Sequence, residues 1–295
     1  MKGNILSSAS ALAALLLCLN FGAALAQQLP AVSAPNGKIE FDAGALTLPS
    51  AAFMARAAGT LTLPLGDRFG LQVDLTGASA PGFTTSAALH VFTRDPASYL
   101  IGGTLGIVRT PGATVFAAGP EGELYLDRWT LEAWAGLAIV HPASGPARSG
   151  AFAMAEAGYY ATKNWRLSLG VSSLDGYNSV QFGTEYLFDG FDLPLAATTE
   201  MRVGQDGAIL GTIGLKAYIG APSKSLIRRH REDDPSDRST SLYAAASANT
   251  LGASKSVGGA APGPTGGDPS EEGTDGPIMP IPCDDPGPFG CPTPD

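Results

Sequence analysis

The chain has 295 residues, with 18 Lys and Arg against 27 Asp and Glu, a formal charge of −9 at neutral pH. No strongly basic surface follows from that balance, which argues against nucleic acid as a partner. Three cysteines are too few for a disulfide framework or a paired-cysteine zinc site, and no stretch after Ala26 approaches the roughly 20 apolar residues of a membrane helix.

Met1 to Ala26 sets Lys2 ahead of an apolar run, Ala11 to Leu19, and ends on Ala24-Leu25-Ala26. This is the pattern of a secretory signal peptide cut before Gln27. Cys18 follows Leu17 rather than a small residue, which disfavours a lipoprotein. Residues 27–36 read as a short leader.

From Gly37 to Gly220 one unit recurs, seen most clearly in Leu61 to Thr76, where a Gly66-Asp67 turn joins two alternating runs. Phe69, Leu71, Val73 and Leu75 share one face of the second run, and Arg68, Gly70, Gln72, Asp74 and Thr76 the other. Side chains on a strand alternate with period two, so each run is a strand with one apolar and one wet face. About twelve such strands fit, each near the 9 to 11 residues of outer-membrane barrels. Their cores are Lys38 to Leu46, Phe53 to Leu65, Phe69 to Ala78, Phe83 to Thr93, Tyr99 to Arg109, Val115 to Leu126, Trp129 to Val140, Ala151 to Ala161, Trp165 to Ser173, Val180 to Phe188, Leu195 to Gly204 and Ile209 to Ile219.

Two sets of turns alternate along the chain. Gly66-Asp67, Arg94-Asp95-Pro96, Asp127-Arg128, Lys163-Asn164 and Asp189-Gly190 are charged and mostly tight. Ala80-Pro81-Gly82, Pro111-Gly112, Pro142 to Ser149, Asp175-Gly176 and Gln205-Asp206-Gly207 make up the other set. Short turns mark the periplasmic end of such barrels, so the first set is assigned there, and an even strand count returns the chain to that side. Phe69, Trp129, Trp165 and Phe188 stand beside the charged turns, as an interfacial aromatic girdle would. The apolar face, with Leu71, Leu169 and Ile213, is therefore expected to meet lipid, and Gln72, Ser168 and Thr212 to meet a wet lumen.

Parity sends Glu40, Asp42, Arg56, Asp74, His90, Glu132, Glu156, Arg166, Glu185, Glu200, Arg202 and Lys216 to that lumen. Buried charges need partners, so these either pair and fill the barrel or form a charged constriction; the pairing reading is preferred because both signs occur in a narrow barrel.

After Gly220 the alternation ends. Residues 221–255 read as a charged and Ala-rich periplasmic segment, in which KSLIRRHREDD, Lys224 to Asp234, is solvated charge and Ser239 to Asn249 is a short helix, marginal alone. Residues 256–295, rich in Pro, Gly and acid, are too poor in apolar residues to pack and read as a disordered tail, in which Cys283 and Cys291 are placed to form one local disulfide.

No phosphate loop, nucleophile elbow or zinc-protease helix occurs in the chain. His90 would reach Ser86 or Ser168 only in a suitable fold, so the expectation is no enzyme, no cofactor and no metal.

The signal peptide, the amphipathic hairpins and the last strand, AILGTIGLKAYIG with Tyr218 as its late aromatic, together resemble the Gram-negative outer-membrane β-barrel class, including small porin-like proteins. The chain departs from the usual pattern in that 75 residues follow Gly220 (295 minus 220). The resemblance implies an all-β fold, a transmembrane up-and-down antiparallel barrel over residues 37–220. It also implies membrane lipid and the outer-membrane assembly machinery as partners, with periplasmic envelope components reached through the tail. The function expected is a narrow passive pore or a structural envelope protein. The alternatives are a soluble or surface-associated β-protein that binds a ligand or partner and, third, an outer-membrane lipid-modifying enzyme.

Overall fold

The computed structural model describes residues 29–47, 52–80, 82–220 and 223–247. The expected signal peptide, the tail and its two cysteines lie outside the described residues. Twelve strands follow one another: β1 (Asn36–Leu46), β2 (Ala52–Leu65), β3 (Phe69–Ala78), β4 (Thr84–Asp95), β5 (Tyr99–Arg109), β6 (Ala113–Leu126), β7 (Trp129–Pro142), β8 (Arg148–Thr162), β9 (Trp165–Leu174), β10 (Tyr177–Leu187), β11 (Leu195–Gly204) and β12 (Ile209–Ile219). Each pairs antiparallel with its chain neighbours, and β1 pairs with β12 from Gly37↔Ile219 to Leu46↔Leu210, closing the barrel. The near mouth holds Asn36 and Ile219, the two ends of the strand array; the far mouth holds Leu46 and Ile209.

Local chemistry accounts for the tight connections. At β9–β10 the two-residue turn Asp175-Gly176 has φ of 51° and 79°, the left-handed pair that lets a hairpin keep the strands' twist. Across β6 and β7, Gly119 and Gly136 lie where a Cβ would come within 1.9 Å of the Ala135 carbonyl oxygen and 2.0 Å of that of Ala118. Only glycine allows the two backbones to approach so closely there.

The barrel reverses the burial of a soluble protein. Leu137, Ile213 and Leu169 are exposed at 71%, 66% and 50%, whereas Asp74, Gln72 and His90 are wholly buried. A continuous apolar exterior around charged interior groups needs a hydrocarbon solvent, and a closed barrel is the β-structure that leaves no unpaired backbone edge in it. At the near mouth Phe69, Trp129, Trp165, Tyr186 and Phe188 all point outward, with Trp129 against Tyr159 at 4.8 Å and Tyr186 against Phe188 at 5.5 Å between ring centroids. This is the girdle the sequence predicts.

The segment after β12 departs from expectation. Its described part, residues 223–247, is packed inside the barrel rather than standing outside as solvated charge. Helix α1 (Leu226–Glu232) seals the near mouth, where Leu226 is buried with Tyr160, Leu187, Ala196 and Tyr218. Residues 234–237 run extended through the lumen, and helix α2 (residues 238–247) continues towards the far mouth. Asp237 caps α2: its carboxylate accepts from the Thr240 backbone N–H at 2.9 Å and from the Ser239 hydroxyl at 2.9 Å. Leu242 packs with Trp134, Phe152 and Leu174, and Tyr243 with Met54, Leu46 and Leu210. These contacts supply what the helix lacks in isolation, a buried apolar face. The leader is not free either. Ala31 and Val32 are buried at the near mouth, and the Ala31 N–H donates to the Asp67 carbonyl at 2.9 Å.

An arginine placed at Leu169 should destabilise the refolded barrel by about 2–4 kcal/mol, the cost of a charge near the bilayer midplane. At Ser168, which lines the wet interior, the same change should cost much less. Equal unfolding midpoints of Leu169→Arg and Ser168→Arg in lipid vesicles would contradict the orientation.

Candidate functional site

The lumen between α1 and the far apolar layer is where the fold concentrates charge. Alternation explains how: all twelve strands turn every second residue inward, and the register sets those residues side by side across strands. Asp42 on β1 accepts from Arg56 on β2 at 2.9 Å. On β3, Asp74 takes the Thr60 hydroxyl at 3.0 Å and the Gln72 amide at 2.9 Å on one oxygen. Its other oxygen lies 2.7 Å from Nε2 of His90. Nδ1 of the same ring faces Glu121 at 2.9 Å, so carboxylates stand against both nitrogens of a fully buried imidazole. That setting suits a ring that donates from both nitrogens.

A second chain of contacts runs around the other wall. Arg166 bridges Glu132 at 2.7 Å and Glu156 at 2.6 Å. Gln181 donates to Glu156 and accepts from Arg202. Arg202 also reaches Ser172 at 3.2 Å, Ser179 at 3.1 Å and Glu200 at 3.3 Å. Lys216 lies between Glu185 at 3.0 Å and Glu40 at 3.4 Å. All twelve lumen residues that parity selects thus fall into ion-paired groups, Glu200 with Arg202 of its own strand and the others across strands.

The plug completes these groups. The Arg238 guanidinium donates from Nε to Glu121 at 2.9 Å and from Nη1 to Glu132 at 3.3 Å, and its backbone N–H donates to Asp74 at 2.9 Å. One residue of α2 therefore ties three acidic wall residues together. Lys38 on β1 reaches across to Asp234 at 2.9 Å and to the Pro235 carbonyl at 3.0 Å. At the near mouth the His230 ring lies between the hydroxyls of Tyr160, 2.8 Å away, and Tyr218, 3.0 Å away. The imidazole serves as a hydrogen-bonding post between two tyrosines. Tyr218, the late aromatic of the last strand, points inward, with the Arg229 guanidinium 5.1 Å from its ring centroid.

What remains open is a polar cavity of about 160 Å³ beside residues 234–241, faced by Ser168, Gln181, Glu200, Thr212 and Lys216. At about 30 Å³ of liquid per molecule it is on the scale of five waters. Among the described residues no cluster of His, Cys, Asp and Glu is arranged to hold a metal ion.

Sequence reasoning missed two kinds of residue. Glu121 and Glu123 on β6 face inward, opposite in parity to outward Phe116 and Leu126, so alternation alone could have found them. Asp234 and Arg238 carry no such signal, because they lie after the last strand and acquire their role only when that segment enters the lumen.

No protein-family model matches the chain, and no curated protein matches it. Several solved structures are similar. The KdgM porin, in complex with disordered oligogalacturonate, is 10% identical over 61% of this chain and 98% of its own, with a TM-score of 0.44. An outer membrane channel from Pseudomonas putida F1 is 12% identical over 68% and 99%, with a TM-score of 0.46. Outer membrane phospholipase A from Escherichia coli is 11% identical over 64% and 93%, with a TM-score of 0.41. Closure of twelve strands around a charged lumen, with an apolar exterior and an aromatic girdle, gives the chain the architecture of a membrane-spanning β-barrel.

Proposed function

We propose that this is an outer-membrane barrel held closed by its own chain, a structural envelope protein whose lumen does not act as a passive pore at rest. The observation that carries this reading is the occupation of the lumen by residues 223–247, anchored through Arg238 to Asp74, Glu121 and Glu132. Removing one partner from such a buried group leaves an uncompensated charge, at a cost of about 3–5 kcal/mol. The plug is therefore seated by interactions that cannot be loosened singly without penalty.

The near mouth is assigned to the periplasm. Turns there span 66–68, 96–98, 127–128 and 163–164, three residues or fewer, apart from the longer 188–194. The barrel would be delivered by the signal peptide and inserted by the outer-membrane assembly machinery through its last strand. The role is non-catalytic: His90 is enclosed by Asp74, Glu121 and Thr104 inside the barrel, on the side away from lipid. Ligand binding has the weaker support of a cavity with room for a few waters.

In planar bilayers the full chain should be electrically silent at neutral pH, whereas a chain ended after Gly220 should conduct. Arg238→Ala, which keeps the whole chain, should flicker open, since it frees Glu121 and Glu132 from the plug. A steady open conductance from the unaltered protein would overturn the closed-lumen reading.

His230 helps to seat α1, since its ring stands between the Tyr160 and Tyr218 hydroxyls. His230→Ala removes both hydrogen bonds and should make openings more frequent in the full chain; an unchanged opening frequency in the variant would remove His230 from the account.

A further inference from the structure

The path of the plug has a direction. Strand β3 runs from the near mouth to the far mouth, and successive residues of the plug meet successive residues along it. The Gln72 amide donates to the Pro235 carbonyl at 3.3 Å, Asp74 receives the Arg238 N–H at 2.9 Å, and Thr76 shares a hydrogen bond with Ser239 at 2.7 Å. The Tyr243 hydroxyl then donates to the Ala80 carbonyl at 2.8 Å, beyond the end of the strand at the far mouth. Before this run, α1 is fixed at the opposite end. The Leu226 N–H donates to the Asn164 side chain at 3.2 Å in the β8–β9 turn, and Arg231 donates at 2.8 Å to the carbonyl of Trp129, the first residue of β7. The chain enters by one mouth and reaches the other.

It has no room to return. Leu242 packs on Trp134 and its neighbours on one side of the lumen, while Tyr243 and Ala244 pack on Leu46, Met54 and Leu210 on the other, so α2 is walled by apolar side chains near the far mouth. The open space that remains, a polar cavity of about 160 Å³, lies beside residues 234–241.

We propose that the barrel carries its own chain across the outer membrane, so that the residues immediately after Ser247 are presented at the cell surface rather than in the periplasm. The lumen then serves as a sleeve, and the barrel as a membrane anchor for the C-terminal part of the chain. Strand counting points the other way because it treats β12 as the end of the path, whereas residues 223–247 cross the membrane once more inside the barrel. The inference rests on the placement of the plug and on the near mouth being periplasmic, and does not require the lumen to be non-conducting.

The test compares three epitope insertions in the full chain: after Gly252, in the β7–β8 turn at Ser144, and in the β8–β9 turn at Lys163. Antibody labelling of intact cells is read against labelling after the outer membrane is permeabilised, and heat-modifiable gel migration confirms that each barrel is folded. The expected result is labelling of intact cells at Gly252 and Ser144, with Lys163 reached only on permeabilisation. Protection of the Gly252 insertion together with Lys163, while Ser144 is labelled, would overturn the crossing. Labelling of Lys163 with protection of both others would overturn presentation at the surface. Steady conductance of the full chain would end the closed-lumen proposal and leave these labelling outcomes unaffected.

Discussion

Everything in this molecule depends on the pairing of β1 with β12. Ten register pairs, from Gly37↔Ile219 to Leu46↔Leu210, join the ends of the strand array. Without them two rows of backbone N–H and C=O groups would face hydrocarbon, where nothing can satisfy them. With them every strand has two neighbours, and alternation then sorts side chains into an outer set that meets lipid and an inner set that meets only the rest of the protein.

Closure creates the second constraint, an interior that cannot be left empty. The inner set is rich in carboxylates, and Asp74, Glu121, Glu123 and Glu132 lie near one another on three strands; among the described residues, the Arg166 guanidinium and the His90 ring are the wall groups in direct ion-pair distance of them. Arg238, brought in by the plug, is the cation that this part of the wall otherwise lacks. A buried ion pair is weak evidence of stability in itself, because desolvation offsets most of the attraction, but it is strong evidence of a defined partner. The charges therefore set the plug's position, and apolar contacts of Leu226, Leu242 and Tyr243 supply most of the force that keeps it in place.

The two ends of the lumen are consequently unlike. At the near mouth, α1 is held by hydrogen bonds with Tyr160, Tyr218 and the Asn164 side chain and by the Arg231 guanidinium on the Trp129 carbonyl at 2.8 Å. At the far mouth, α2 is held by side chains such as Trp134, Phe152 and Met54 that turn inward from the barrel wall. Ionic strength and pH act chiefly on the first kind of contact and little on the second. A change in either would thus loosen α1 before α2.

The sequence by itself determined the barrel. Period-two alternation and turn residues place twelve strands, four of them with the observed bounds, and they assign Leu169 outward and Gln72 inward because the side a strand residue faces is a local, geometric property. The same parity places Arg56, Asp74, His90, Glu132 and Arg202 in the lumen, and a fuller use of it would have added Glu121 and Glu123. Which charges meet was decided only by tertiary structure, since partners such as His90 and Glu121 lie 31 residues apart and are joined by a third strand between them. Inward-facing Trp134 and Phe152 make sense only against Leu242, and Arg238 only against Glu121 and Glu132. No periodicity announces that a charged and Ala-rich segment will turn back into the barrel. That outcome depends on complementarity between a finished wall and a chain made after it, a property of the assembled fold rather than of any stretch of residues.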